Sequence, residues 1–203
     1  MSHAEERVIR VLRPSVIVFC GPAACGKSTF AARHFRPTHV VSSDSCRQLV
    51  CDEESDQRYQ AQTFALLHFI IGQRLSINRI CVVDSTAITP GARKSLLDIG
   101  RKYGVRTYLF LFDIALEKCL ERDRTRSRSV GPKVIEDQYR LFKEAQDSVR
   151  SEGFDEIVEL YDEDLQSVRC EILYRPINPV NSNNSAKRHH DSAVQPKEFW
   201  PRI

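Results

Sequence analysis

The sequence predicts an α/β protein: a parallel sheet with helices on both faces. Two patterns predict it. Short apolar runs rich in β-branched residues end at a glycine or an aspartate, and each is followed by a segment whose apolar positions recur at helical spacing. Such alternation demands right-handed crossovers, which lay helices over both faces of parallel strands.

The elements follow in order. Ser15–Cys20 reads SVIVFC and stops at Gly21, a buried strand. Residues 26–35 form a helix. Residues 39–43 are a second strand closed by Asp44, with a short helix over 45–50. Residues 55–77 carry Ala61, Phe64, Leu67, Ile70, Ile71 and Leu75, the core-facing stripe of one long helix. Residues 80–83 are a third strand, closed by Asp84. Residues 89–103 are a helix, with Pro90 in its first turn and Gly104 beyond its end. Residues 105–112 are a fourth strand, 115–124 and 132–150 are helices, 154–160 is a fifth strand, and 168–173 is a candidate sixth. Residues 1–13 carry charges throughout and offer no apolar signal region. From residue 176 the chain turns polar and rich in Asn, Ser and Pro. One domain over residues 1–175 and a flexible tail over 176–203 are therefore expected.

Composition narrows the function. The 203 residues are 41% hydrophobic and 28% charged, with no apolar run of membrane-spanning length. Seven cysteines without a CxxC pair argue for a reducing, cytoplasmic setting and against a zinc site. The net charge is +3, and residues 1–175 hold only +1 of it. Any attraction to nucleic acid must therefore come from a local basic cluster.

Gly21-Pro22-Ala23-Ala24-Cys25-Gly26-Lys27-Ser28, followed by Thr29, matches the phosphate-loop pattern GxxxxGK[ST] between a strand and a helix. In such a loop the backbone N–H groups and the helix N-terminus face the phosphates of ATP. Lys27 adds a mobile positive charge, and the Ser28 hydroxyl ligates Mg²⁺. No NKxD guanine-reading segment occurs. Asp44 falls at the carboxyl edge of a neighbouring strand, where open α/β sheets bind ligands. It suits a general base for an attacking hydroxyl and equally a helix N-cap. Arg47, three residues on, suits an anion on the acceptor side.

Several blocks now form a pattern: GPAACGKSTFAARHF, SSDSCRQLVCDEESDQ, LLHFIIGQRL, VVDST, GARKSLLDIGRKY and CLERDRTRSRSVGPKVI. In order and spacing they resemble the kinase domain of the bacterial polynucleotide kinase–phosphatase of RNA end healing, across about residues 15–173. The resemblance implies a P-loop phosphotransferase that uses ATP and Mg²⁺ to phosphorylate 5′-OH RNA or DNA ends. It implies Asp44 as general base, Arg47 gripping the acceptor end and Gln57 near the transfer site. Asp84 would orient water on Mg²⁺. The family's phosphatase and ligase modules have no counterpart in this chain, which implies separate partner enzymes or a longer parent chain. Two departures stand out. Ala87 replaces a family asparagine, and Glu136-Asp137 replaces a basic segment, thinning the positive charge along a nucleic-acid path.

Between Lys118 and Lys133 six basic residues stand against two acidic ones, with arginine at every second position from Arg122 to Arg128. Such a run is often a plain solvated face. Arginine's planar fork argues against that here, and the run lies between two helices, where related small kinases carry a lid, so the resemblance implies an Arg-rich helical lid over about residues 121–133. The resemblance puts Arg122 and Arg126 on lid arginines that clamp the donor phosphates, and Val130 and Val134 near the adenine. Transfer to a small hydroxyl compound and a non-enzymatic ATP-binding module are the competing readings, because fold alone does not choose a substrate.

Overall fold

The computed structural model describes residues 7–126 and 128–174. Its centre is a five-stranded parallel sheet. In chain order the strands are β2 (Ser15–Cys20), β3 (Val40–Ser42), β4 (Cys81–Asp84), β5 (Arg106–Phe112) and β6 (Glu156–Leu160), and their spatial order is β3-β4-β2-β5-β6. The expected α/β class is therefore observed. β2 lies in the middle with all six residues buried, as its unbroken apolar run requires. Val16 pairs with Cys81 on one side and Thr107 on the other.

The period of two along β2 splits the core. Ile17 and Phe19 face one layer, with Phe30 of α1 (Lys27–His34) and with Phe110 and Phe112. Val16, Val18 and Cys20 face the other, with Leu67 and Ile71 of α3 (Gln60–Ser76) and Leu96 of α4 (Pro90–Lys102). α2 (Ser43–Cys51) follows β3 directly. α5 (Leu116–Arg124) and α6 (Pro132–Ser148) follow β5, and α6 sends Ile135 into the first layer and Phe142 into the second.

Three expectations are corrected. β1 (Val8–Arg13) is a strand where none was expected; it pairs in parallel with β7 (Arg169–Tyr174) in a separate two-stranded sheet. The candidate sixth strand is thus real but does not extend the main sheet. The segment 55–77 is not one helix: a 3₁₀ turn, Gln57–Tyr59, precedes α3, set off by the Asp56 carboxylate accepting from the Arg58 N–H at 3.0 Å. Asp44 does not cap its helix. Ser42 does so, its hydroxyl accepting from the Ser45 N–H at 3.4 Å, and Asp44 sits inside the first turn. The expected tail, residues 176–203, lies outside the described residues. Among the described residues no helix is long and apolar enough to cross a membrane.

Fully buried Arg93 anchors the turn after β4. Its Nη2 and Nε meet the two Glu152 oxygens at 2.6 and 2.8 Å, and its Nη1 donates to the Ala87 carbonyl at 3.0 Å. Gly21 N donates to the Thr86 carbonyl at 3.0 Å, so this turn and the start of the phosphate loop are tied together. Ala87 holds φ +41, a left-handed conformation in which asparagine is at home and alanine is strained.

Candidate functional site

All strands of the main sheet end at one edge, and the phosphate loop leaves β2 there. Two left-handed residues turn the loop, Ala24 at φ +59 and Gly26 at φ +101. A side chain at Gly26 would be strained and would come within 3.0 Å of Leu165 Cδ1. At Gly21 a Cβ would lie 2.9 Å from Cys25 Sγ and 3.0 Å from Phe112 Cβ. The Ala23 N–H donates to Gln138 Oε1 at 2.7 Å, which fixes the loop against α6. Lys27 is buried and curls over the loop, its Nζ donating to the carbonyls of Gly21 at 2.9 Å and Pro22 at 2.6 Å, with Cys25 Sγ at 3.4 Å. Ser28 and Thr29 are exposed at the first turn of α1.

Asp84, the last residue of β4, stands in register with Ser42 of β3. Burial raises its pKa, and the charge of Asp44 adds to this. The Ser28 hydroxyl, which donates to it, and the charges of Lys27 and Arg126 act the other way. A hydroxyl and a carboxylate in contact at a helix N-terminus are hard oxygen donors that fit Mg²⁺, whose remaining ligands come from phosphate and water. No group of three or more His, Cys, Asp or Glu suited to a metal occurs among the described residues.

Asp44 faces the same cavity with its side chain 54% exposed, whereas that of Arg47 is 5% exposed. Arg47 Nη1 donates to Asp44 Oδ1 at 2.7 Å and to the Glu54 carbonyl at 3.0 Å, and Nη2 donates to Gln60 Oε1 at 3.4 Å. Gln60 in turn donates through Nε2 to Gln57 Oε1. Gln57 therefore joins Asp44 through a relay of side chains. The expectation that Arg47 offers a free fork is corrected: both Nη groups are engaged by protein acceptors. A second, half-buried cation beside Asp44 is Arg128, with Glu54 Oε1 at 2.7 Å and Asp44 Oδ2 at 3.8 Å.

Arg122, in the last turn of α5, pairs with Asp162, and its Nη1 reaches the Cys25 carbonyl at 3.4 Å. Arg126 is exposed on the cavity wall, and Val130 also lines it. Val134 does not: it is 43% exposed and lies outside the cavity lining, a correction to its expected place near a base. The turn after α5 is organised by buried Asp123, which accepts from Ser129 Oγ at 2.6 Å and from the N–H groups of Val130 and Gly131, both at 3.1 Å.

Sequence reasoning did not assign Arg128, Glu54, Gln60 or Gln138. Arg128 was visible as the last of the alternating arginines. The others carry no local signal, because their roles come from tertiary approach. The cavity they complete has a volume of about 1040 Å³, at the upper end for small-ligand sites.

The family model described as an AAA domain matches residues 16–145. No curated protein matches the sequence. Among solved structures, a chain of the Pnkp1/Rnl/Hen1 RNA repair complex is similar at a TM-score of 0.56 and 18% identity, over 68% of this chain and 47% of that one. A chain of the AvrRxo1-ORF1:-ORF2 complex gives 0.52 and 17%, over 68% and 50%. Kti12 of Chaetomium thermophilum, in complex with ADP-AlF3, gives 0.51 and 15%, over 75% and 94%. The chain thus spans about half the length of the first two. At these identities the likeness shows the fold alone, a parallel α/β sheet, and the phosphate loop is read from this chain's own residues.

Proposed function

Since this chain belongs to the AAA-domain family, whose model spans residues 16–145, and carries a P-loop kinase-like fold, we propose that it is an ATP-dependent polynucleotide 5′-hydroxyl kinase acting in nucleic-acid end repair. The observation that carries the reading is the half-exposed Asp44 carboxylate, held by Arg47 at 2.7 Å in the cavity that also contains Lys27 and Ser28. A carboxylate fixed on one oxygen by a buried guanidinium, with its other oxygen 3.8 Å from Arg128 and turned to the cavity, is placed to take a proton. The cavity's size supports two nucleotides, a donor and an acceptor terminus. The multi-block sequence resemblance supplies the acceptor class.

In the reaction the 5′ oxygen forms a bond to the γ-phosphorus. The bond from that phosphorus to the β–γ bridging oxygen breaks, ADP leaves, and the proton passes to Asp44. Lys27, Arg122, Arg126 and the N-terminus of α1 hold the negative charge that spreads over the migrating group. Ser28 and Asp84 would hold Mg²⁺, which neutralises donor phosphate charge when bound. Arg47 positions Asp44, and Arg128 shares the acceptor side with it.

The test is transfer of the labelled γ-phosphate of ATP to 5′-OH RNA and DNA oligonucleotides, run beside sugars and nucleosides. Label on oligonucleotides is expected. Label on small alcohols with none on oligonucleotides would overturn the acceptor class. ATP binding without any transfer would overturn the enzyme.

A further inference from the structure

In a parallel sheet every strand also begins at one edge, and here that edge is lined with arginine. Arg13 precedes β2, Arg36 and His39 precede β3, and Arg79 precedes β4; these three strands are neighbours. Arg74, at the end of α3, completes the group. The parts interlock. Arg13 Nε donates to the Asn78 carbonyl at 3.0 Å, and the Arg79 N–H to the Arg74 carbonyl at 2.9 Å. Arg74 Nη2 donates to the Ile80 carbonyl at 3.0 Å, and the His39 N–H to the Arg36 carbonyl at 2.8 Å.

Among the described residues none of these four arginines has an ion pair, whereas Arg7, Arg10, Arg93 and Arg106 on neighbouring elements each hold a carboxylate. Burial first, and then the charges of Arg74, Arg36, Arg13 and Arg79, lower the pKa of His39. Residues 1–175 carry only +1 in all, these four included, so four guanidinium groups without a carboxylate on one edge are a strong local field.

We propose that this edge docks the phosphate backbone of nucleic acid, at a place separate from the cavity. Guanidinium forks match phosphate oxygens, and two of the four are already held by backbone carbonyls, so little order is lost on binding. The edge offers phosphate contacts without base-reading groups, so the docking is independent of sequence. β2 has six residues, which puts the edge roughly 15–20 Å from the phosphate loop. That is on the order of six nucleotides at duplex rise. A chain docked here is held well away from the reacting centre, and this inference does not depend on the catalytic reading.

The experiment is fluorescence anisotropy with a labelled 20-nucleotide RNA and its DNA equivalent, without ATP, over a range of salt. The variant is Arg36→Gln with Arg79→Gln, because these exposed side chains make no hydrogen bond or ion pair among the described residues. The control is Lys94→Gln with Arg140→Gln, which removes the same charge elsewhere, and thermal melting reports folding of both. The patch variant is expected to bind about tenfold more weakly, with a salt slope reduced by about 0.7 per arginine on a single strand. The control and a trinucleotide probe should show no such change. Equal weakening by the control, an unaltered patch variant, or binding of acidic vesicles or polyglutamate in place of the oligonucleotide would each overturn the proposal.

Discussion

Arg47 reaches Asp44 across 2.7 Å from a side chain that is almost wholly buried, while the carboxylate it holds stays half open to the cavity. Arg47 is thereby an internal support, and on the proposed function Asp44 is the group that meets the acceptor. Asp44→Asn should lower turnover by about 10²–10⁴ with ATP affinity retained. Steady-state transfer and nucleotide titration read the two effects separately. Equal loss of both would place Asp44 in the nucleotide site instead.

Arg47→Lys tests the support. Lysine keeps the charge but cannot hold Asp44, the Glu54 carbonyl and Gln60 at once. We expect a fall in kcat together with lower thermal stability. Adding Asp44→Asn should cost little further turnover, because the two residues act as a unit.

Arg126 and Arg128 differ although they are two residues apart. Arg126 has no ion pair among the described residues, whereas Arg128 is paired with Glu54. Arg126→Ala should lower kcat by about 10²–10⁴ with little change in stability. Arg128→Ala should act mainly on acceptor KM. Kinetics with the acceptor varied at saturating ATP separate the two.

Asp123 gives the turn after α5 a pH dependence. Burial alone would raise its pKa, but the bonds from Ser129, Val130 and Gly131 outweigh this and hold it below the ordinary carboxylate value. A depressed pKa stabilises the fold above the unfolded value of about 3.9, and the gain is lost as pH falls through the folded pKa. Asp123→Ala should therefore cost about 2–3 kcal/mol at neutral pH, and melting curves of variant and wild type should draw together as the pH falls below the unfolded value of about 3.9.

Fully buried Arg93 depends on the partly buried Glu152 carboxylate for its charge partner. Arg93→Ala leaves Glu152 without its partner and the Ala87 carbonyl without its donor, at a cost of about 3–5 kcal/mol. Ala87→Gly should do the reverse on a smaller scale, about 1 kcal/mol of stabilisation, since glycine carries no penalty at φ +41. Urea denaturation of the two variants reads both signs.

The parts of this molecule that are local in sequence could be read there. The phosphate loop, the strand ending at Asp84 and the helix from Pro90 each rest on neighbouring residues: glycine spacing, an apolar run, a proline at N1. β1 could not be read. VIRVLR sets an arginine after every two apolar residues, which is not the period of two of a half-buried strand, and its partner β7 arrives about 160 residues later. The split before α3 was hidden because Gln57 and Arg58 continue an acceptable helical composition, and only the Asp56 turn breaks it. In the site, Asp44 was visible by position, but the burial of Arg47 depends on Glu54 and Gln60 folding over it, which no spacing rule foretells.

The ribbon of β1 and β7 has a temporal meaning. Val8 lies opposite Arg169, so its closure spans nearly the whole described chain and carries a heavier loop entropy than any pairing within the main sheet. On the ribosome β1 emerges first yet waits longest for its mate, while β2, β3, β4 and β5 can already assemble. Ribbon closure should therefore be a late step of biosynthesis, and until then the apolar side of β1 stays open to chaperones.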